Sequence, residues 1–293
     1  MEIILTILIA LAIIIVVFGI WVILDTNIIM KREYIVESSK IPEEFNDYKI
    51  AFISDLHNKT KRKNIVNRVV NKINKENPDL IFLGGDYIDR SRKQYIKEKK
   101  GEGLKKEHGM ENMVEAVWTK LSKLSAKDGV YSVLGNHDYW EKEETHQKYM
   151  DKFGINNIKN KGLWLYKNGK RIRIGGVADT SEDMSDLHPT IDEVKNNEFV
   201  IVVSHCPEIV TLPNKGREGV DLFLAGHTHG GQINLFGKYT PFISSRWRGR
   251  MEKGRGYIND KDIIITAGVG VTYTPFRFFV RPEYVIVKLK HKE

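Results

Sequence analysis

The stretch Tyr48-Lys49-Ile50-Ala51-Phe52-Ile53-Ser54-Asp55-Leu56-His57 decides how this chain folds. Its apolar run has the length and branched content of a buried strand, and it stops at Asp55 and His57. A helix is expected next, because Ile65, Val66, Val69, Val70 and Ile73 recur at helical spacing and Pro78 closes the segment. Asp79-Leu80-Ile81-Phe82-Leu83 then reads as a second buried strand, ending in Gly84-Gly85-Asp86-Tyr87-Ile88-Asp89. Strand, helix, strand of this length is a βαβ unit, which implies parallel pairing.

The same grammar continues downstream. Met113, Val114, Val117, Leu121 and Leu124 mark an amphipathic helix, and strand Gly129–Leu134 ends in Gly135-Asn136-His137-Asp138. Residues 142–153 read as helix. Leu163–Tyr166 and Arg171–Val177 around Asn168-Gly169 carry a hairpin signal. Phe199–Val203 runs into Ser204-His205-Cys206-Pro207, and a last apolar run, Val220 to Ala225, opens onto Gly226-His227-Thr228-His229-Gly230-Gly231. Strands Ile263–Thr266 and Tyr284–Leu289 follow. Parallel βαβ units with late hairpins predict two sheets packed together, with helices outside.

At the other end, residues 3–24 carry no charge and are mostly Ile, Leu and Val. At about 1.5 Å per residue they match the roughly 30 Å hydrocarbon core of a bilayer. Neither the basic flank nor the small-residue site of a cleaved signal peptide is present, so an uncleaved anchor over residues 1–30 is expected. Lys31, Arg32 and Lys40 follow it, which puts the remainder on the cytoplasmic face by the positive-inside rule. Residues 31–47 read as a polar linker, and the 23 residues between Leu24 and Tyr48, with a flexible span of about 25 Å, would hold a domain of residues 48–293 close to lipid.

Residues 31–293 hold 46 Lys and Arg against 36 Asp and Glu, a net charge of +10 that favours anionic partners or serves solubility. Residues 90–107 concentrate eight basic and three acidic residues. This insertion either draws an anionic headgroup toward the cleft or is a solvated loop. A single cysteine, Cys206, excludes an intrachain disulfide.

Five strands thus end in Asp55 and His57, in Asp86, in Asn136, in His205, and in His227 and His229. The carboxyl ends of strands are where open α/β sheets bind ligands. These are oxygen and imidazole donors without thiolate, a set suited to manganese, iron or zinc. Seven ligands exceed one ion's needs; with one carboxylate bridging they fill two sites, the clamp used for in-line displacement at phosphorus.

Asp55-x-His57, Gly85-Asp86-x-x-Asp89, Gly135-Asn136-His137-Asp138, His205 and Gly226-His227-x-His229 resemble, in order, the five signature blocks of the calcineurin-like metallophosphoesterases. The match covers residues 49–232. It implies that family's four-layer α/β/β/α sandwich and hydrolysis of a phosphate ester or pyrophosphate by a hydroxide bridging two divalent metals. It also implies that Asp55, His57 and His229 hold one ion and Asn136, His205 and His227 the other, with Asp86 bridging. His137 would protonate the leaving oxygen, and Asp138 would orient its ring. The tail, with Gly256-Tyr257, Ala267-Gly268-Val269-Gly270 and Arg277 through Pro282-Glu283-Tyr284, is similar to a membrane-anchored bacterial branch. Some members of that branch hydrolyse UDP-2,3-diacylglucosamine. A phosphodiesterase or nuclease on soluble nucleotides or nucleic acid is the alternative enzyme, and a catalytically silent tethered binding protein the alternative class. Retention of His137 beside all seven ligands speaks against silence.

Other residues have plainer readings. Asp89 either joins the cluster or caps the next segment. His108, His146, His188 and His291 lie outside the blocks and are expected in solvent, and Cys206 is expected as a small buried residue. Arg246-Trp247-Arg248-Gly249-Arg250 either grips anionic substrate or forms a surface loop.

Overall fold

The computed structural model describes residues 2–58, 64–100, 107–211, 216–235, 239–241, 243, 251–272 and 274–293. Two six-stranded mixed sheets form its centre. In the first, β1 (Met30–Ser38) and β12 (Glu283–His291) lie beside β2 (Lys49–Ile53), β3 (Leu80–Leu83), β4 (Val130–Ser132) and β5 (Asn156–Asn157), in the order β1-β12-β2-β3-β4-β5. In the second, β6 (Lys161–Lys167), β7 (Lys170–Gly176), β8 (Val200–Ser204), β9 (Leu222–Ala225), β10 (Gly254–Ile258) and β11 (Lys261–Ile265) run in the order β10-β11-β9-β8-β7-β6. The βαβ expectation holds: β2, α2 (Ile65–Glu76) and β3 form a parallel unit with Ile50 opposite Leu80. Asn168 and Gly169, both at positive φ, make the turn between antiparallel β6 and β7.

Apolar residues on alternate faces of each strand explain the layering. Phe52, Phe82, Ile174, Ile201, Leu224 and Val285 fill the seam between the sheets. On the outer face of the first sheet, Ala51, Ile53, Ile81 and Leu83 pack under Val66, Val70, Val117 and Trp118 from α2 and α4 (Glu107–Leu121). Val202, Phe223 and Ile263 form the outer core of the second sheet. The result is the four-layer α/β/β/α sandwich.

The N-terminal segment differs from expectation. Residues 31–47 are not a linker. β1 pairs in parallel with β12 from Met30↔Glu283 to Ser38↔His291, and Ile41 and Phe45 are fully buried behind it. Charges at Lys31, Arg32 and Glu33 disguised the strand; they suit an exposed sheet edge, which charge protects from further pairing. Helix α1 (Glu2–Asn27) therefore enters the sheet after only two intervening residues, and no flexible tether separates it from the domain.

Among the described residues α1 is the one helix long and apolar enough to cross a membrane, and its apolar stretch is unburied. This suggests a membrane anchor.

The basic insertion is partly helical, as α3 (Arg92–Lys99). Arg90 just before it is buried and paired with Glu141. Residues 101–106 and the 246–250 stretch lie outside the described residues.

Candidate metal centre

Every strand that was expected to end in a donor does so at one rim of the sandwich. Five of the seven donor residues occupy left-handed backbone: Asp55 (φ 54°), His57 (39°), Asp86 (58°), His227 (67°) and His229 (53°). Each such residue costs about 1–3 kcal/mol, and strain of this kind collects where function fixes geometry. Tight strand-to-loop turns aim the side chains back over the sheet ends. Gly85, at φ 94°, lets two such turns touch, because a Cβ there would strike the Gly135 backbone and stand 2.9 Å from His205 Nδ1.

Asp86 sits at the middle. Its Oδ2 lies 3.3 Å from His57 Nε2 on one flank and 3.3 Å from His205 Nε2 on the other. On the first flank, His57 Nε2 is 3.1 Å from His229 Nε2, and that nitrogen is 3.4 Å from Asp55 Oδ1. On the second, His205 Nε2 is 3.1 Å from His227 Nδ1. Buried Asn136 Oδ1 has no protein partner. Bare nitrogens at hydrogen-bonding distance from one another, around a shared carboxylate and an orphaned amide oxygen, form a donor set that divalent cations satisfy. Triads such as Asp55, His57 and His229, or Asp55, Asp86 and His205, bring one donor atom each within 4.8 Å of one another.

The electrostatics agree. Burial disfavours charge on Asp86, yet the facing His205 and His137 hold its carboxyl well below the usual range. Burial likewise opposes charge on His57, but Asp86 and Asp89 raise it to about 9. Burial, with His57 and Arg277 nearby, depresses His229. Cys206 also comes within reach of His205 and His227. Burial and Asp179 push its thiol up, and its Sγ donates to Asp179 Oδ2 at 3.2 Å, so it stays a thiol rather than the thiolate a metal prefers.

His137 stands at the mouth, with its ring 4.6 Å from that of His57 and 4.5 Å from that of Trp140. Its Nε2 faces Asp86 Oδ2 at 4.0 Å and its Nδ1 faces Asp89 Oδ1 at the same distance. Burial lowers it to about 4. Asp138 does not orient this ring, contrary to expectation. Its carboxylate turns inward and accepts from the backbone N–H of Asp86 (2.7 Å), Tyr87 (2.9 Å) and Gly135 (3.0 Å). Three amides of two converging loops outcompete one imidazole, so Asp138 fastens the Asp86 turn to the Asn136 turn. Asp89, left open by sequence, lies 3.4 Å from His57 Nδ1 and 4.0 Å from His137 Nδ1, which makes it a neighbour of both rings.

Three residues depart further from the sequence reading; one is His291, half-buried with Nδ1 2.6 Å from the Ile41 carbonyl rather than free in solvent. His146 is fully buried rather than solvated, accepting from Trp118 Nε1 at 3.2 Å with Nε2 3.8 Å from Asp138 Oδ1. Arg277 was visible in the tail but had no assigned role. It is fully buried, donating to the carbonyls of Ala267 (2.7 Å), Gly270 (2.8 Å) and His229 (3.2 Å), with Nη2 3.3 Å from His229 Nδ1. His188 is exposed as expected.

The chain belongs to the calcineurin-like phosphoesterases, whose family model matches residues 48–231. It is 28% identical to the metallophosphoesterase YkuE of Bacillus subtilis, over 91% of this chain and 87% of that one. It is 27% identical to a metallophosphoesterase of Aquifex aeolicus, over 92% and 95% of the two chains. A zebrafish transmembrane protein with a metallophosphoesterase domain is 22% identical over 86% of this chain, which spans 55% of that protein. The protein is therefore a metal-dependent phosphoric ester hydrolase of a dimetal family.

Proposed function

We propose that the chain is a membrane-anchored dimetal phosphoesterase whose substrate is a lipid-linked phosphate or pyrophosphate, such as a UDP-diacylglucosamine-like molecule. The observation that carries the dimetal reading is Asp86 Oδ2, equidistant from a histidine of each flank. Asp55, His57 and His229 would hold one ion, Asn136, His205 and His227 the other, and Asp86 both. Two divalent ions, manganese, iron or zinc, supply Lewis acidity toward the phosphoryl oxygens and lower the pKa of water to the neutral range. His137, at the mouth, presents Nε2 to the leaving oxygen and would protonate it, the negative charge of a bound phosphate favouring the imidazolium that burial alone opposes. Asp89 faces its Nδ1 and steadies the ring. Asp138 keeps the Asp86 and Asn136 turns in register.

Support for a lipid substrate comes from the anchor. With α1 joined directly to β1, the cleft is confined near the bilayer, where lipid-borne phosphates reach a high effective concentration. Lys31 and Arg32, immediately after α1, support a cytoplasmic orientation.

The test is a metal analysis of purified full-length protein combined with a substrate screen in vesicles. It should cover lipid pyrophosphates, cyclic nucleotides and phosphodiesters. About two metal equivalents and preferred cleavage of a vesicle-embedded pyrophosphate are expected. High kcat/KM on a soluble nucleotide with poor turnover of every lipid would overturn the lipid assignment.

A further inference from the structure

The geometry points to residues 274–282 as a membrane-interface loop that seats the metal cleft at the lipid headgroup layer. This rests on reading α1 as a membrane span. The helix rises about 1.5 Å per residue, so Phe18 and Trp21 lie roughly 9 Å and 5 Å inside the apolar segment that ends at Leu24. The Phe278 ring is 5.6 Å from Phe18 and 5.5 Å from Trp21, and the Phe279 ring is 5.3 Å from Trp21. Rings that touch α1 at that depth share its surroundings. They stand in the boundary between headgroups and acyl chains, where aromatic side chains are favoured.

The loop is shaped for this. Phe276 and Phe279 are 36% and 44% exposed, a cost in water and a gain in lipid. Phe279 is held at φ 56°, a left-handed backbone that a bulky residue rarely adopts. Loop and helix end are fastened together. The Arg277 backbone N–H donates to Thr26 Oγ1 at 2.9 Å, Met30 N–H donates to the Pro282 carbonyl at 2.8 Å, and Arg281 pairs with buried Asp25. Arg277, within the same loop, reaches the cleft, its guanidinium 3.3 Å from His229 Nδ1. A phosphate presented at the headgroup layer thus reaches the donor cluster without its lipid leaving the bilayer. A bare staple holding α1 to the domain would need neither the exposure of Phe276 and Phe279 nor the strained backbone.

The experiment reads depth, not activity. Full-length Phe279→Cys, Phe276→Cys, Ile14→Cys and Tyr166→Cys proteins are labelled with an environment-sensitive fluorophore; native Cys206 is buried and does not compete. They are reconstituted in vesicles of phosphatidylethanolamine and phosphatidylglycerol carrying nitroxide lipids. Tyr166 lies by the β6–β7 turn, at the opposite end of the parallel strands from the cleft, and gives the aqueous reference. Labels at 276 and 279 should emit at shorter wavelength than the one at 166. They should be quenched most by nitroxide near the headgroup, and the one at 14 most by nitroxide deep in the acyl chain. Having two loop positions covers the case where one variant fails to fold, judged by circular dichroism. If 276 and 279 behave like 166 while 14 is quenched, the loop assignment fails and the anchored phosphoesterase stands. If 14 is also unquenched, the loop assignment falls together with the anchor.

Discussion

On one flank of the cleft, His205 donates Nδ1–H to the Gly84 carbonyl at 2.7 Å; on the other, His229 offers the same ring nitrogen to the Arg277 guanidinium at 3.3 Å. A carbonyl only accepts and a guanidinium only donates, so the two rings are pushed toward opposite tautomers. The His205 bond leaves a lone pair on Nε2, the atom that faces Asp86, which is the form a metal needs. The Arg277 contact favours a proton on His229 Nε2, the atom that faces Asp55, and sets a buried cation beside the first flank. His57, on the same flank, has Asp89 Oδ1 3.4 Å from its Nδ1 without a hydrogen bond, so nothing there fixes its tautomer as Gly84 fixes that of His205. Chemically similar donor sets are thus unequal, and the inequality comes from what stands behind them.

The largest effect should come from the group both flanks share. Asp86→Asn removes the carboxylate that neutralises two cations, and turnover should fall by several orders of magnitude with loss of metal at both sites. Metal analysis and steady-state kinetics check it. Two retained equivalents with near-normal rates would dissolve the two-flank picture altogether.

His137 belongs to neither flank and should separate chemistry from metal binding. His137→Gln should keep its metal content while lowering kcat by about 10²–10⁴ on esters with poor leaving groups. The loss should shrink for nitrophenyl esters, whose leaving oxygen hardly needs a proton. Equal losses on both substrate types would reduce His137 to a positioning residue.

The comparison is sharpened by loading. Partners behind a metal ligand are worth about 10–100-fold in affinity, so manganese should fill the Asn136, His205 and His227 flank first by about that margin. Calorimetric titration of metal-free full-length protein should resolve two steps. Asn136→Ala should weaken the tighter step and His57→Asn the looser. Two indistinguishable steps, or the opposite order, would mean that Arg277 and Gly84 do not matter.

These backing groups were the part the sequence hid. The donors were legible because each follows a strand whose apolar run is unambiguous, as Ile50–Ile53 before Asp55 or Leu222–Ala225 before His227. Arg277 contacts a histidine 48 positions away, and nothing local signals that a charged residue in an apolar tail is buried. Asp138 looked like a partner of His137 because it is adjacent in sequence, whereas a helical turn starting at Asn136 directs the two side chains apart. β1 was missed because its charged residues fit an edge as well as a linker, and only the parallel register with β12 distinguishes them.

His146 offers the finest test, since its fully buried ring stands behind the second flank with Nε2 3.8 Å from Asp138 Oδ1. Burial lowers it from 6.5 to about 3, so between those values the unfolded chain binds a proton that the native state refuses. Stability must then rise with pH across that window and be lost as pH falls through it. From pH 7 to pH 5 the contribution is about 2 kcal/mol. His146→Gln retains an acceptor for Trp118 Nε1 and cannot take a proton, so its stability should fall less on acidification by about that amount. The measurement is denaturant unfolding of metal-free protein at both pH values, wild type against variant, which cancels the titration of every other group. Parallel losses would show that His146 is solvated on the time average, and that Asp138 holds the Asp86 and Asn136 turns without it.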